Sequence, residues 1–198
     1  LEYDAWGVDQ EEARTLFKES LDVMRLAHSG EPFQFQGQSL TMNPRVLMRP
    51  DPKRERIHLY GAIGSPQSAG IMAEYDLPLL CVANFPHHIM KSIVDQWCAG
   101  MAARGKPTEA RKTLMFLAYI ADSDDEARRI MKQYVPPFFE VQARHYEADK
   151  DYYKDIKGYE QFNKFFANLK RMGDPKTMDP WIDQQICGSP ATARRQIQ

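Results

Sequence analysis

The chain has 198 residues, 43% hydrophobic and 27% charged, and its 26 basic and 27 acidic side chains leave a formal charge of −1. That balance excludes a basic field for nucleic acid and an acidic tail for a basic partner, and the length suits one domain with a real core. Cys81, Cys98 and Cys187 are scattered, with no CxxC pair and no metal spacing to histidine. Such usage points to reduced, buried thiols in a cytoplasmic protein. The expectation is a chain with no signal peptide and no membrane span. Leu1 is not an initiator Met and the last residues stop inside a helical pattern, so a part of a longer protein is expected.

The spacing of Ala13, Phe17, Ser20, Leu21, Met24 and Ala27 predicts a first helix over 9–29, capped by Asp9 and ended by Ser29-Gly30. Phe33 to Gly37 reads as a short hairpin or an irregular crossing. Val46 to Met48 reads as extended, before the breakers of Arg49-Pro-Asp-Pro52. The charged run 53–56 is expected to be exposed.

Residues 57–63 follow as a buried strand, on the apolar and aromatic character of Ile57, Leu59, Tyr60 and Ile63. Gly64 loosens the backbone at its end, Ser65 stands where a helix N-cap belongs, and Pro66 suits the first helical residue. Ala69, Met72 and Ala73 give one helical face, ending near Asp76. A helix start of this kind leaves backbone N–H groups without partners at the positive end of the macrodipole. With the Ser65 and Ser68 hydroxyls it outlines a phosphate cradle, although a Ser-Pro start also forms with no ligand.

Leu79 to Ala83 reads as a parallel strand covered on both faces. A loop over 84–88 and a helix over 89–104 follow, with Met90, Ile93, Val94, Trp97 and Met101 inward and Gly105 as its stop. Thr113 to Ile120 reads as another strand, and the acidic run from Asp122 to Glu126 opens another helix. Strand and helix in alternation signal parallel α/β packing with right-handed crossovers. Val135-Pro-Pro interrupts the helix. A helical insertion is expected over 138–180, and the stripe of Phe162, Phe165, Phe166 and Leu169 in it reads as a packing surface. Ile186-Cys-Gly-Ser-Pro-Ala-Thr-Ala193 echoes the earlier Gly-Ser-Pro turn.

In their order and spacing these pieces resemble the luciferase-like flavin monooxygenases, in the limonene-monooxygenase-like branch. The pieces are Glu2 to Val8 with the helix from Arg14 to Leu21, Gly30-Glu-Pro-Phe33, Arg49-Pro-Asp-Pro52, Ile63-Gly-Ser-Pro-Gln-Ser-Ala69, Ala121 to Ala127 and Cys187-Gly-Ser-Pro190. The resemblance spans nearly the whole chain. It implies an α/β fold, a TIM (β/α)8 barrel of which residues 1–198 form the C-terminal part as one domain, with the active site at the C-terminal ends of the strands.

The resemblance further implies a monooxygenase that uses FMN, reduced by a separate reductase, and O2 to oxygenate a small apolar molecule. A homodimer is expected. A deazaflavin (F420)-dependent oxidoreductase and a non-catalytic flavin-binding or dimerisation subunit are the alternatives. Carried over by position, Gly64, Ser65 and Ser68 match the cofactor-phosphate contacts, and Asn84 and Phe85 match residues near the ring or substrate. The family's catalytic histidine is expected upstream of Leu1. His87 and His88 are the candidates within the chain, against an ordinary surface role. Tyr3 suits either a flavin edge or a core.

Overall fold

In the computed structural model, which describes residues 2–50, 57–109, 111–148, 164–165, 168–169 and 171–198, the chain divides after Leu59 into two units, each held by its own contacts. The first carries α1 (Glu2–Trp6), α2 (Ala13–Ala27), β1 (Phe33–Gln36) and β2 (Thr41–Val46). The charged run 53–56 lies outside the described residues.

Asp9 does not cap α2. Its carboxylate accepts from the Glu11 N–H at 2.8 Å, closing a turn ahead of the helix, so α2 starts at Ala13 with Glu12 as N-cap. Ala13, Leu21 and Ala27 are buried, whereas Phe17 and Met24 on the expected inner face are exposed. β1 and β2 form the hairpin, antiparallel with Phe33 opposite Val46 and Gln36 opposite Thr41.

Glu19 of α2 organises that hairpin's turn. Its carboxylate accepts from the N–H groups of Gln38 at 2.6 Å, Ser39 at 3.1 Å and Leu40 at 2.7 Å. A Cβ on Gly37 would lie 2.4 Å from the same carboxylate, so a larger residue there would push the Glu19 side chain out of its place in the turn. Desolvation works to raise the Glu19 pKa, and the three backbone donors together outweigh it and hold the carboxyl below its usual value. A depressed carboxylate contributes stability above its unfolded pKa and loses it as pH falls through the folded one. Glu19→Gln is therefore expected to lower the thermal midpoint at neutral pH and to match the parent in acid. A pH-independent difference in melting curves would contradict this.

The second unit carries β3 (Gly61–Ile63), α3 (Pro66–Glu74), β4 (Leu79–Val82), α4 (His87–Ala102), β5 (Lys112–Met115), β6 (Ala118–Ile120), α5 (Asp124–Tyr134) and α6 (Pro136–His145). It closes with α7 (Asp179–Ile182), β7 (Ile186–Gly188) and α8 (Pro190–Ile197). β3, β4 and β5 form a parallel sheet in that order, with Gly61 opposite Leu79 and Leu79 opposite Lys112. β6 pairs with β7, also in parallel. These sheets are open, and no barrel closes among the described residues.

The first strand of this unit is shorter than expected. It starts at Gly61, whose N–H donates to Pro78 O at 2.8 Å, while Ile57 and Tyr60 are exposed. Pro78, just ahead of β4, has no N–H to extend the ladder backwards. The expected strand 113–120 is split into β5 and β6. Gln185, 3% exposed, stitches the break: its Oε1 accepts from Leu117 N–H at 3.0 Å and its Nε2 donates to Ala83 O at 2.7 Å. β4 is covered on one face only. Leu79 and Cys81 are buried, whereas Val82 is exposed, as are Leu114 and Met115 of β5, Tyr119 and Ile120 of β6, and Leu117 between those two strands.

α3 and α4 pack on each other, and Met90, Ile93, Trp97 and Met101 of α4 are buried. The indole N–H of Trp97 donates to Leu77 O at 2.9 Å. A Cβ on Gly100 would come within 2.7 Å of the Ala73 Cβ, which marks how closely the helices approach. A second core joins Met131, Phe139, Leu169, Trp181 and Ile182, with Phe139 and Trp181 edge to face at 4.8 Å. Phe162 and Phe166 of the expected stripe lie outside the described residues, and Leu169 is fully buried. The three cysteines are free, Cys98 only half-buried, and burial pushes the Cys81 thiol up to about 11. No helix among the described residues is long and apolar enough to cross a membrane.

Candidate functional site

Parallel strands β3 and β4 end side by side, and both exits carry residues singled out from the sequence. At the first, Ser65 has extended backbone angles (φ −142°, ψ 149°) and caps α3, with Pro66 next. Its Oγ accepts from the Ser68 N–H at 3.2 Å and lies 2.9 Å from the Ser68 Oγ. Ser65 is only 2% exposed, so its hydroxyl is engaged in holding the turn. Ser68 and Gly64 are half-buried. The backbone N–H groups of Gly64 and Gln67 have no partner among the described residues. The turn thus offers two backbone donors and one hydroxyl at the positive end of a helix dipole.

The Gly188-Ser189-Pro190 turn repeats this geometry. Ser189 caps α8, its Oγ accepting from the Thr192 N–H at 3.3 Å. Here the chain supplies its own anion. Asp124 accepts from Ser189 N–H at 2.6 Å and from the Thr192 hydroxyl at 2.9 Å. These bonds, the Ser189 backbone donor first, hold the Asp124 carboxyl below its usual range. A Cβ on Gly188, whose φ is +152°, would lie 2.7 Å from the Asp124 carboxylate. Nothing in the sequence pattern distinguishes the occupied turn from the open one. Asp124 approaches from α5, 65 positions away.

At the exit of β4, residues 84–86 form one wall of a cleft of about 340 Å³. His88 and Ile89 from the first turn of α4 join them, and Phe165, Trp181 and Gln184 face them from the other side. The Phe85 and Phe165 rings lie 5.4 Å apart at 49°. Asn84, Phe85 and His88 are therefore brought together, whereas His87 is exposed and outside the lining. Both histidines belong to α4, which starts two residues earlier than the sequence suggested, and not to a loop. Gly64, Ser65 and Ser68 do not line the cleft. Tyr3 is half-buried in the first unit. Trp181 and Gln184 carry no motif, and periodicity could not have found them.

The family described as luciferase-like monooxygenase matches over residues 1–198. The fold is similar to the monooxygenase RslO1 from Streptomyces bottropensis, at 19% identity and a TM-score of 0.60, over 99% of this chain and 53% of that one. It is also similar to the oxygenating constituent of 3,6-diketocamphane monooxygenase from Pseudomonas putida, a type II Baeyer–Villiger monooxygenase in complex with FMN. That likeness has 19% identity and a TM-score of 0.56, over 91% of this chain and 51% of that one. The chain thus spans about half the length of both structures. No match was found among curated proteins.

Proposed function

Because the chain belongs to the luciferase-like monooxygenase family, we propose that it serves an FMN-dependent monooxygenase and that its Gly64-Ser65-Pro66 turn receives the cofactor's phosphate. The observation that carries the assignment is the contrast between the two turns. The second is filled by the Asp124 carboxylate, while the first leaves Gly64 N–H, Gln67 N–H and the Ser68 hydroxyl facing no acid among the described residues. A phosphate there gains charge-assisted hydrogen bonds as well as the helix dipole.

When bound, reduced FMN supplies the two electrons with which O2 is divided between substrate and water. The chain's own contribution is binding and exclusion. Gly64, Gln67 and Ser68 would hold the phosphate, with Ser65 keeping the turn in shape. Asn84 and Phe85 would meet the ring or substrate at the next strand exit. The apolar walls of the cleft, Phe85, Ile89 and Phe165 among them, would take a small, mostly apolar molecule and keep water from it. The exposed apolar side of β4, β5 and β6 fits the inner wall of a (β/α)8 barrel, with α3 and α4 on its outside. A separate reductase as the source of reduced FMN, and a homodimer, complete the reading.

The test is an anaerobic titration with reduced FMN and with reduced riboflavin, followed by O2 in the presence of candidate substrates. FMN should bind more tightly than riboflavin by about tenfold or more, since only FMN carries the phosphate. Equal affinities would remove the phosphate assignment. Tight binding without oxygenated product would make the protein a flavin-binding subunit, and retention of F420 in place of FMN would make it a deazaflavin enzyme.

A further inference from the structure

Among the described residues, Ser65 and Gln185 are the buried polar side chains. Ser65 serves its own turn, whereas the partners of Gln185 lie 68 and 102 positions away. The sheet register shows what the Gln185 amide replaces. Leu79 stands opposite Lys112 and its N–H donates to Arg111 O at 2.8 Å; two rungs on, Ala83 N–H donates to Met115 O at 2.9 Å. In a parallel ladder such a residue accepts in turn from the N–H two positions further along its partner, so the next rung would run from Leu117 N–H to Ala83 O. The Gln185 amide stands in its place. Its Oε1 accepts from Leu117 N–H at 3.0 Å and its Nε2 donates to Ala83 O at 2.7 Å. An amide side chain carries the donor and acceptor of a peptide group, so it fills the gap with both backbone atoms paired. The two backbones are thereby spaced by a side-chain amide, and Leu117 O accepts instead from Ile186 N–H at 3.1 Å, where the β6–β7 pair begins.

The carbonyl held in this way leads straight into the cleft. Ala83 precedes Asn84, whose N–H turns back to Val82 O at 2.8 Å, so Ala83 O is a fixed point just ahead of Asn84 and Phe85. Gln185 does not line the cleft, but it follows Trp181 and Gln184, which do. Its segment is anchored by Trp181 and Ile182 in the second core, which gives the amide a firm base. One buried side chain thus ties together two lining segments that are about a hundred positions apart in the chain.

We propose that Gln185 is a positioning residue of the cleft: its amide spaces the sheet open at the exit of β4 and so fixes Asn84 and Phe85 relative to the Trp181–Gln184 segment. It acts through Ala83 and touches no ligand itself. Its importance to the reaction rests on the reading of the cleft as part of the flavin or substrate site. With the amide removed, Leu117 N–H closes onto Ala83 O and draws the exit in.

Amide NMR spectra of the full chain test this without flavin. In Gln185→Ala the Asn84, Phe85 and Leu117 amides should shift from their parent positions, while the Trp97 indole N–H, in the core between α3 and α4, stays in place. Gln185→Glu separates spacing from packing. Ionised, its carboxylate accepts from Leu117 N–H but has no proton to give Ala83 O; protonated, it accepts and donates as the amide does. Its spectrum should therefore depart from the parent's at those three amides at about pH 8 and return to it by about pH 5, since burial favours the neutral acid. Asp183 and Cys187 beside it in the chain, and His88 in the cleft, are common to both proteins, so each comparison is made at one pH. Asn84 and Phe85 amides unmoved in Gln185→Ala overturn the inference, as does a Gln185→Glu spectrum that acid does not restore. Should Gln185→Ala fail to fold, the Glu variant decides alone. Either outcome would leave the monooxygenase reading standing, because that reading is judged by flavin binding and oxygenation in the parent.

Discussion

Replacing Ser68 by Asp is expected to reduce FMN affinity by about a hundredfold or more while leaving the fold intact, because it would plant at the first turn the acid that Asp124 already supplies at the second. An acidic residue in the first turn of a helix is locally favourable, so α3 should form as before. The carboxylate would meet the same backbone donors that a phosphate needs and repel the phosphate's charge. The paired change Ser65→Ala with Ser68→Ala should weaken FMN binding by roughly 1.5–3 kcal/mol, because only the Ser68 hydroxyl makes a charge-assisted bond to the phosphate. The structure divides that effect. Ser65 Oγ is buried and engaged as the cap, so Ser65→Ala alone should cost mainly stability, about 0.5–2 kcal/mol. Ser68→Ala should then carry the loss of binding. Fluorescence titration with FMN and riboflavin separates the two. Unchanged FMN affinity in the double variant, or an equal loss for both flavins, would place the phosphate elsewhere.

Trp97→Ala should be the most destabilising single change in the second unit. The side chain is fully buried, and truncating a buried Trp costs about 3–5 kcal/mol. The variant would also leave Leu77 O without its indole donor, a further penalty of about 1–3 kcal/mol. Leu77 leads into β4, so damage there should spread to the strand exit that carries Asn84 and Phe85. Trp97→Phe keeps most of the volume and removes only the donor, and should show the smaller penalty alone. Urea unfolding of the three proteins measures both. A midpoint for Trp97→Ala close to that of the parent would contradict the packing described between α3 and α4.

Local chemistry was legible in the sequence wherever one segment determines it. The Ser65-Pro66 helix start, the acidic opening of α5 over 122–126, the Gly105 stop and the inward face of α4 follow from capping, backbone freedom and periodicity, all short-range. The alternation of strand and helix, hence parallel pairing, follows in the same way. Strand edges did not. Whether Tyr60 is paired depends on Pro78 across the ladder, and whether residues 116–117 continue a strand depends on Gln185 inserting its amide from far along the chain. Burial of β4 on both faces could not be read from its apolar run, because coverage is a property of what packs on it.

The candidate site divides along the same line. The sequence alone determined that two Gly-Ser-Pro turns would each end a strand and begin a helix, because Gly, Ser and Pro fix that local backbone whatever surrounds it. Only the tertiary structure decided which of the two stays open to an anion, because Asp124 arrives through space from another helix. Only the tertiary structure, again, set Trp181 and Gln184 against Phe85 across one cleft. Such contacts join residues too far apart in the chain for any local pattern to record them.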